Sequence, residues 1–289
     1  MRKVVDKKPA QSSAASEVTA TAVVNRAVEV WPASENASCS DAIATETAVA
    51  LVYNGVSHAV MMATPLHLEA FARGFSLTEG IVERLEDIYE IRVEEGELGI
   101  EVALTISSQC FVKLKDRRRN LSGRTGCGLC GAESLQQVRL PVVPVTADFS
   151  ISHTAVDTAT RALSSHQPLQ SLTGALHAAA WCDVDGNLLQ VCEDVGRHNA
   201  LDKLIGMLWH QQLGPMQAPL APAGCLLISS RASHEILQKS ALGNIAVVVA
   251  ISAPTSLAID IARQADITLI GFSRENRHIV YSNSRRLVA

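Results

Sequence analysis

The succession of apolar runs predicts an α/β protein in which a smaller α+β unit precedes a three-layer α/β domain. Three observations carry that prediction. After about residue 150, short continuous runs at Cys225–Ser229, Ile245–Ile251 and Ile267–Phe272 alternate with helical patterns over Ser233–Leu242 and Ser256–Ala265. Such runs mark parallel strands buried on both faces. Before about residue 115, Tyr89–Val93 and Ile100–Leu104 alternate apolar with polar residues, the period of a half-buried strand. Between these regions, Lys113–Arg119 is dense in cations and glycine recurs at 123, 126, 128 and 131, so a loop or linker is expected there.

In chain order, residues 1–40 are expected to be a disordered tail. Ala, Ser, Thr and Val dominate residues 10–30 without period, and no apolar stretch of signal-peptide length follows Met1-Arg2-Lys3. The smaller unit spans residues 41–115. Leu51-Val52-Tyr53 and Val60-Met61-Met62 around Asn54-Gly55 predict a hairpin. Thr64 is expected to cap a helix that has Pro65 at its first position and Gly74 just past its end. Ser76 and Glu79 are expected to open a second, short helix as a capping box, and residues 88–115 to form strands. Residues 116–150 are the loop and linker, and residues 151–289 the α/β domain. That domain opens with a helix over Ala155–Ser165. A hairpin follows, Gly174–Cys182 with Leu188–Cys192 around Asp185-Gly186-Asn187. Leu201, Leu204, Ile205 and Leu208 then fall on one face of a helix.

Composition narrows the function classes. The chain has 289 residues, 47% of them hydrophobic, and a net charge of −4, which supports a sizeable core and leaves no global footprint for nucleic acid or an anionic membrane. The longest apolar run, Ile245–Ile251, is far shorter than the ~20 residues of a spanning helix. A cytoplasmic protein is therefore expected, where thiols stay reduced. Of the seven cysteines, Cys39, Cys110, Cys182, Cys192 and Cys225 read as small hydrophobes without chemistry.

The sharpest local signal is Cys127-Gly128-Leu129-Cys130. Flanking glycines keep the sulfurs accessible, and Arg117, Arg118, Arg119 and Arg124 lower a thiol pKa and enrich the nucleophilic thiolate. Two other readings stay open at this level: half of a structural zinc site, although no second ligand pair lies nearby, and a thioredoxin-like pair, although no strand-to-helix context surrounds it. Gly126–Gly131 fits a dinucleotide fingerprint in form only, because no strand precedes it and no acid follows about 20 residues on. His67-Leu68-Glu69 with the later C-x-x-C is similar to a zinc deaminase pattern, but proline is missing before Cys127.

Three strand ends carry cations. Glu193-Asp194-Val195-Gly196-Arg197-His198-Asn199 opens a helix, Ser229–Glu235 with Arg231 follows the strand at 225–229, and Phe272-Ser273-Arg274-Glu275-Asn276-Arg277 follows the strand at 267–272. Open α/β sheets bind ligands beyond the carboxyl ends of their strands, and arginine with histidine at a helix start suits phosphate. A phosphate-rich ligand is expected at these ends. His153, His166, His177 and His210 have no partner in the sequence and read as surface or core.

Met62-Ala63-Thr64-Pro65, Gly74-Phe75, Thr78–Ile81, Gly126–Gly131, Thr173–His177, the long string Glu193–Lys203, Ser229-Ser230-Arg231, Ala253–Ser256 and Gly271–Arg274 occur together and in order. Together they resemble the formate dehydrogenase accessory sulfurtransferase (FdhD) family over about residues 45–285. The resemblance implies a cytidine-deaminase-like fold for the α/β domain, a homodimer, and a sulfurtransferase working through a cysteine persulfide. Sulfur would pass from a cysteine desulfurase to Cys127, with Cys130 as its partner. From there it would reach the molybdenum or tungsten of bis-molybdopterin guanine dinucleotide, as the catalytic subunit of formate dehydrogenase requires. The resemblance also implies that Phe272–Arg277 binds that cofactor and that a guanine nucleotide mimics part of it. Arg197, His198 and Arg231 join these residues as candidate cofactor contacts. No nucleic acid, membrane or resident metal is expected.

Overall fold

Two β-sheets meet on a pair of packed helices. The computed structural model describes residues 21–31, 38–122, 142, 144–211 and 223–289. In chain order, β1 (Val23–Glu29) and β2 (Ser38–Ala44) form an antiparallel ribbon. Next come β3 (Thr47–Tyr53), β4 (Val56–Ala63), α1 (Leu68–Thr78), β5 (Ile88–Gly96), β6 (Gly99–Ile106) and α2 (Ser108–Ser122). These strands make a four-stranded sheet in the order β4-β3-β6-β5, in which only β3 and β6 run parallel. The chain continues through β7 (Ile151–Ser152), α3 (His153–Ala162), α4 (Pro168–Thr173), β8 (His177–Asp183), β9 (Leu188–Asp194) and α5 (Arg197–Gln211). It closes with β10 (Gly224–Ile228), α6 (His234–Leu242), β11 (Val247–Ala250), α7 (Ser256–Gln264), β12 (Thr268–Arg274), β13 (Arg277–Ser282) and β14 (Leu287–Val288), the last parallel to β7.

The larger sheet has six strands in the order β13-β12-β11-β10-β8-β9. Its central strands β10, β11 and β12 are parallel, as their continuous apolar runs predict. Alternate residues face opposite ways. Ala179, Trp181, Leu226, Ile228, Val248 and Leu269 pack with α5, α6 and α7. Ala178, Ala180, Cys225, Leu227, Val249 and Ile270 pack with α3 on the other face. Each buried side chain of this size contributes about 1.5–3 kcal/mol, so two apolar faces demand helices on both sides.

The smaller sheet joins the same core through α1, which lies on α5. The approach is so close that a Cβ at Gly74 would stand 1.8 Å from the Asp202 carbonyl oxygen, and one at Gly206 1.9 Å from that of Ala70. Gly74 is therefore a packing residue inside a helix and not the residue after its end. The expected helix at Thr64–Pro65 begins later, at Leu68, preceded by His67 in the left-handed region (φ 54°). Thr64 is instead used by the chain 131 residues away, its hydroxyl accepting the Val195 N–H at 3.1 Å. No capping box forms at Ser76, which lies within α1 with its hydroxyl 2.8 Å from that of Tyr53.

Further departures have one cause, partners distant in sequence. The expected tail includes β1 and the start of β2, whose ribbon is anchored where Ala22 packs with Leu169 and Leu176. The strands expected through residue 115 stop at Ile106, and α2 covers the backbone of the expected linker through Ser122. Cys110 and Leu114, four apart on α2, face the core, and its Lys and Arg residues are good helix formers. The hairpins at Asn54-Gly55 and Asp185-Gly186 form as expected. Asn54 takes positive φ and its side chain exchanges two hydrogen bonds with the backbone of Ile106. Of the cysteines read as small hydrophobes, Cys110, Cys182, Cys192 and Cys225 are buried, whereas Cys39 on β2 is exposed. Among the described residues no helix is long and apolar enough to cross a membrane.

Candidate functional site

The parallel strands of the larger sheet point their carboxyl ends the same way. Because β8 is antiparallel to β10, and β9 to β8, the start of β8 at His177 and the end of β9 at Asp194 lie at that same end. The three cation-bearing strand ends of the sequence thus come to one rim. Backbone hydrogen bonds tie its loops together: Ile251 N–H to Ile228 O at 3.0 Å, Thr255 N–H to Ala232 O at 3.0 Å, and Phe272 N–H to Ser252 O at 3.1 Å.

On the β9 side, Arg197 and His198 open α5 and are half-buried. His198 Nε2 stands 2.7 Å from a Glu235 carboxylate oxygen and 3.4 Å from the Ser233 hydroxyl. The hydrogen bond to His198 holds the Glu235 carboxyl down at about 2, so it is ionised through the physiological range. His177, which the sequence left as surface or core, lies beside this group. Burial lowers its pKa, and the nearby charges of Arg197 and His198 add to that effect. No local signal marks His177, since only the antiparallel register of β8 and β9 puts it opposite Asp194. Glu235 was part of the Ser229–Glu235 string, but its partner 37 residues upstream could not be read.

At the other edge, Phe272–Arg277 makes the turn between β12 and β13. Phe272 takes positive φ (50°) and is exposed, whereas Ser273 is fully buried with its hydroxyl 2.6 Å from that of Thr160. Asn276 donates its N–H to Asp157 at 2.7 Å and accepts from Arg161 at 2.6 Å, which clamps the turn to α3. Arg161 in turn pairs with Asp157, whose carboxyl this contact holds below the ordinary range. Glu275, Arg274 and Arg277 are exposed, and Arg274 lies directly opposite Arg277. Like charges facing each other across a hairpin are destabilising. Among the described residues neither guanidinium, nor that of Arg231 after β10, has an ion-pair partner. Four strand spacings separate β12 from β9, about 19 Å at ~4.8 Å each. Cations at both edges and Arg231 between them match a long anion with separated phosphates better than a single phosphate ion.

His153, expected to be alone, stacks on His278 of β13 with ring centroids 4.9 Å apart. Cys127, Cys130 and Arg124 lie outside the described residues, whereas Arg117, Arg118 and Arg119 fall on the backbone of α2. The described part of the dense string Glu193–Lys203 divides in two. Glu193 accepts the Leu169 and Gln170 N–H groups at the start of α4. Asp194 binds Lys203 at 2.6 Å with both side chains fully buried, and accepts N–H groups from Thr64, Gly196 and Asn199. Lys203 also donates to Thr64 O at 2.8 Å. Asp202 bonds Lys239 and Thr78. Burial lowers the pKa of Lys239, but Asp202 and Glu79 outweigh it and hold the amine above its ordinary value. These groups fasten the two sheets together, and Arg197 and His198 alone are left to face the rim.

Comparison with known proteins agrees with the family resemblance. A family model described as FdhD/NarQ matches residues 44–288. A sulfur carrier protein FdhD from Cupriavidus necator is 52% identical over 262 residues, 90% of this chain and 88% of the relative. One from Acinetobacter baylyi is 50% identical over 243 residues, 84% of this chain and 86% of the relative. The fold is similar to a crystal structure from Desulfotalea psychrophila assigned as a formate dehydrogenase accessory protein. The TM-score is 0.69 at 21% identity, covering 92% of this chain and 98% of that one.

Proposed function

This chain belongs to the FdhD/NarQ family, and from that premise we propose that it is a sulfur carrier that serves the maturation of formate dehydrogenase. Its sulfur is received on Cys127 and delivered to the metal of bis-molybdopterin guanine dinucleotide. The donor is a cysteine desulfurase persulfide. The Cys127 thiolate attacks its terminal sulfur, a new S–S bond forms, the donor's S–S bond breaks, and the donor thiolate leaves, so no external oxidant is needed. Cys130 relays or protects the persulfide. The working protein is a cytoplasmic homodimer whose α/β domain has the layering of cytidine deaminases.

The observation that supports this reading is that Arg274 and Arg277, without an ion-pair partner among the described residues, share a sheet rim with Arg231, Arg197 and His198. The donors present fit a dinucleotide cargo: guanidinium forks grip phosphate oxygens bidentately, and His198, held by Glu235, offers a directed imidazole edge. Arg274 and Arg277 would hold the phosphates of one arm, while Arg197 and His198 would meet the other. A guanine nucleotide such as GDP occupies part of the same rim. The bound cargo would supply the metal that accepts sulfur; the residues of the rim bind and orient it.

The test is mass spectrometry of the intact chain after incubation with a cysteine desulfurase and cysteine. A mass gain of one sulfur on the Cys127 peptide, absent in Cys127→Ala, is the expected result. Stoichiometric zinc that protects both thiols from alkylation would favour a zinc-binding module or a deaminase-like hydrolase and overturn the proposal.

A further inference from the structure

The smaller sheet has a second surface suited to a partner, far in the chain from the strand-end rim. Among the described residues strand β5 is the edge of the sheet, paired with β6 alone. Its hairpin closes on the pair Gly96 and Gly99 around two turn residues. In an antiparallel ladder hydrogen-bonded pairs alternate with non-bonded ones. Counting from that closing pair, Gly96, Glu94, Arg92 and Glu90 bond to β6, and Ile91, Val93 and Glu95 turn their N–H and C=O groups outward. Such a row is a template for an added strand.

Natural edges are commonly blunted by charge; this one carries Glu90, Arg92, Glu94 and Glu95 and still keeps apolar side chains in water among them. Tyr89 is 66% exposed and Val93 41%. Beside it, between β5 and the first turn of α1, lies an open cleft of about 460 Å³, lined by Pro65, His67, Leu68, Glu69, Val93 and Glu95 among others. His67 enters this cleft from a left-handed backbone conformation. Its imidazole has no hydrogen-bond partner among the described residues, and burial lowers its pKa.

The charge of the surface has one sign. Arg73 is committed to Glu69 at 2.9 Å and Arg92 to Glu90 at 3.1 Å. Among the described residues no cation pairs with Glu94, Glu95, Glu97 or Glu101. Glu94 lies directly opposite Glu101 across the ladder, a like-charge pair that costs stability when alone. A second copy of this edge would bring the same carboxylates against themselves. We propose that β5 and its cleft dock an extended, basic segment of a partner protein by strand addition. Its cations would sit on the face of Glu94 and Glu101, and its alternate apolar residues would fall beside Val93 into the cleft. The cleft adjoins the β9 end of the rim, where Thr64 is bonded to Asp194 and Val195, but it uses none of the proposed cargo contacts and does not depend on sulfur transfer.

The probe is a short fluorescein-labelled peptide of alternating lysine and valine, with a glutamate–valine peptide of equal length as control, titrated into the full chain. Saturable anisotropy with the basic peptide only is expected, together with slowed amide exchange at Ile91, Val93 and Glu95. Glu94→Lys with Glu101→Lys should weaken binding about tenfold, consistent with screened charge pairs. Val93→Pro removes an outward N–H, a change edge strands tolerate, and should abolish binding with the melting temperature retained. The proposal is overturned if the basic peptide binds no better than the acidic one, or if the charge reversal leaves affinity unchanged. It also fails if those amides are already protected in the free protein, because the chain itself or a second copy would then cover the edge. Persulfide formation on Cys127 in Val93→Pro, assayed with free sulfane donor, separates this surface from the carrier role.

Discussion

Asp194 and His198 are four residues apart and live in opposite environments. Asp194 and its partner Lys203 are wholly desolvated, and their remaining hydrogen-bonding capacity is filled by Thr64, Gly196 and Asn199. His198 and Glu235 meet at 2.7 Å, against 2.6 Å for the dry pair, with side chains 24% and 46% exposed. The difference teaches that a dense polar string does not distinguish scaffold from site. Removing one member of a dry pair leaves a charge with neither water nor partner, whereas removing one member of a wet pair lets solvent take its place.

The sharpest way to break the comparison is Lys203→Met. It should lower unfolding free energy by about 3–5 kcal/mol, measured by urea denaturation, while His198→Ala should stay within about 1 kcal/mol of wild type. Equal losses would show that the two pairs are not different in kind. Next in size is Gly74→Ala, which forces α1 away from α5. A cost of about 1–3 kcal/mol is expected, since a Cβ there overlaps the Asp202 carbonyl.

On the exposed side the expected loss is in binding. Replacing Arg274 and Arg277 together by Ala should weaken GDP about tenfold in calorimetry, the worth of one charged hydrogen bond, and leave the ligand-free melting temperature nearly unchanged. Unchanged affinity would make those arginines solvated surface. Thiol reactivity separates the same two environments. Burial pushes the Cys192 thiol up to about 12, and the hydrogen bond with Cys225, with burial second, raises that of Cys182. Iodoacetamide near neutral pH should therefore label Cys39 and the C-x-x-C pair and spare Cys110, Cys182, Cys192 and Cys225, as peptide mapping would show.

The smallest effect is that of pH on Glu235. Its folded pKa lies below the ordinary glutamate value, so its contribution to stability is complete above that value and is lost as pH falls toward about 2. Glu235→Gln should lower the urea midpoint slightly near neutrality, and the difference from wild type should shrink as pH falls from about 5 to about 2. A difference that persists unchanged or grows as pH falls would contradict the assignment.

Much of the fold was legible because its signals are local. Two-faced apolar runs at 225–229, 245–251 and 267–272 could be buried only in a central sheet, and the carboxyl-end rule then put Arg231 and Arg274 on one rim. The ordered landmarks from Met62 to Arg274 identified the family. Other features were illegible because they depend on partners distant in sequence. Burial of Asp194 is set by Thr64, 130 residues earlier. Helix α1 passes through Gly74 because α5 needs that space. Strand β1 forms despite weak alternation because β2 supplies its hydrogen bonds. His177 reaches the rim through the β8–β9 register. Local preference selects each element's type, since it depends on side chains a few residues apart. Desolvation depends on what the rest of the chain brings into contact, so only the tertiary structure decided which charges are locked inside and which remain open to a ligand.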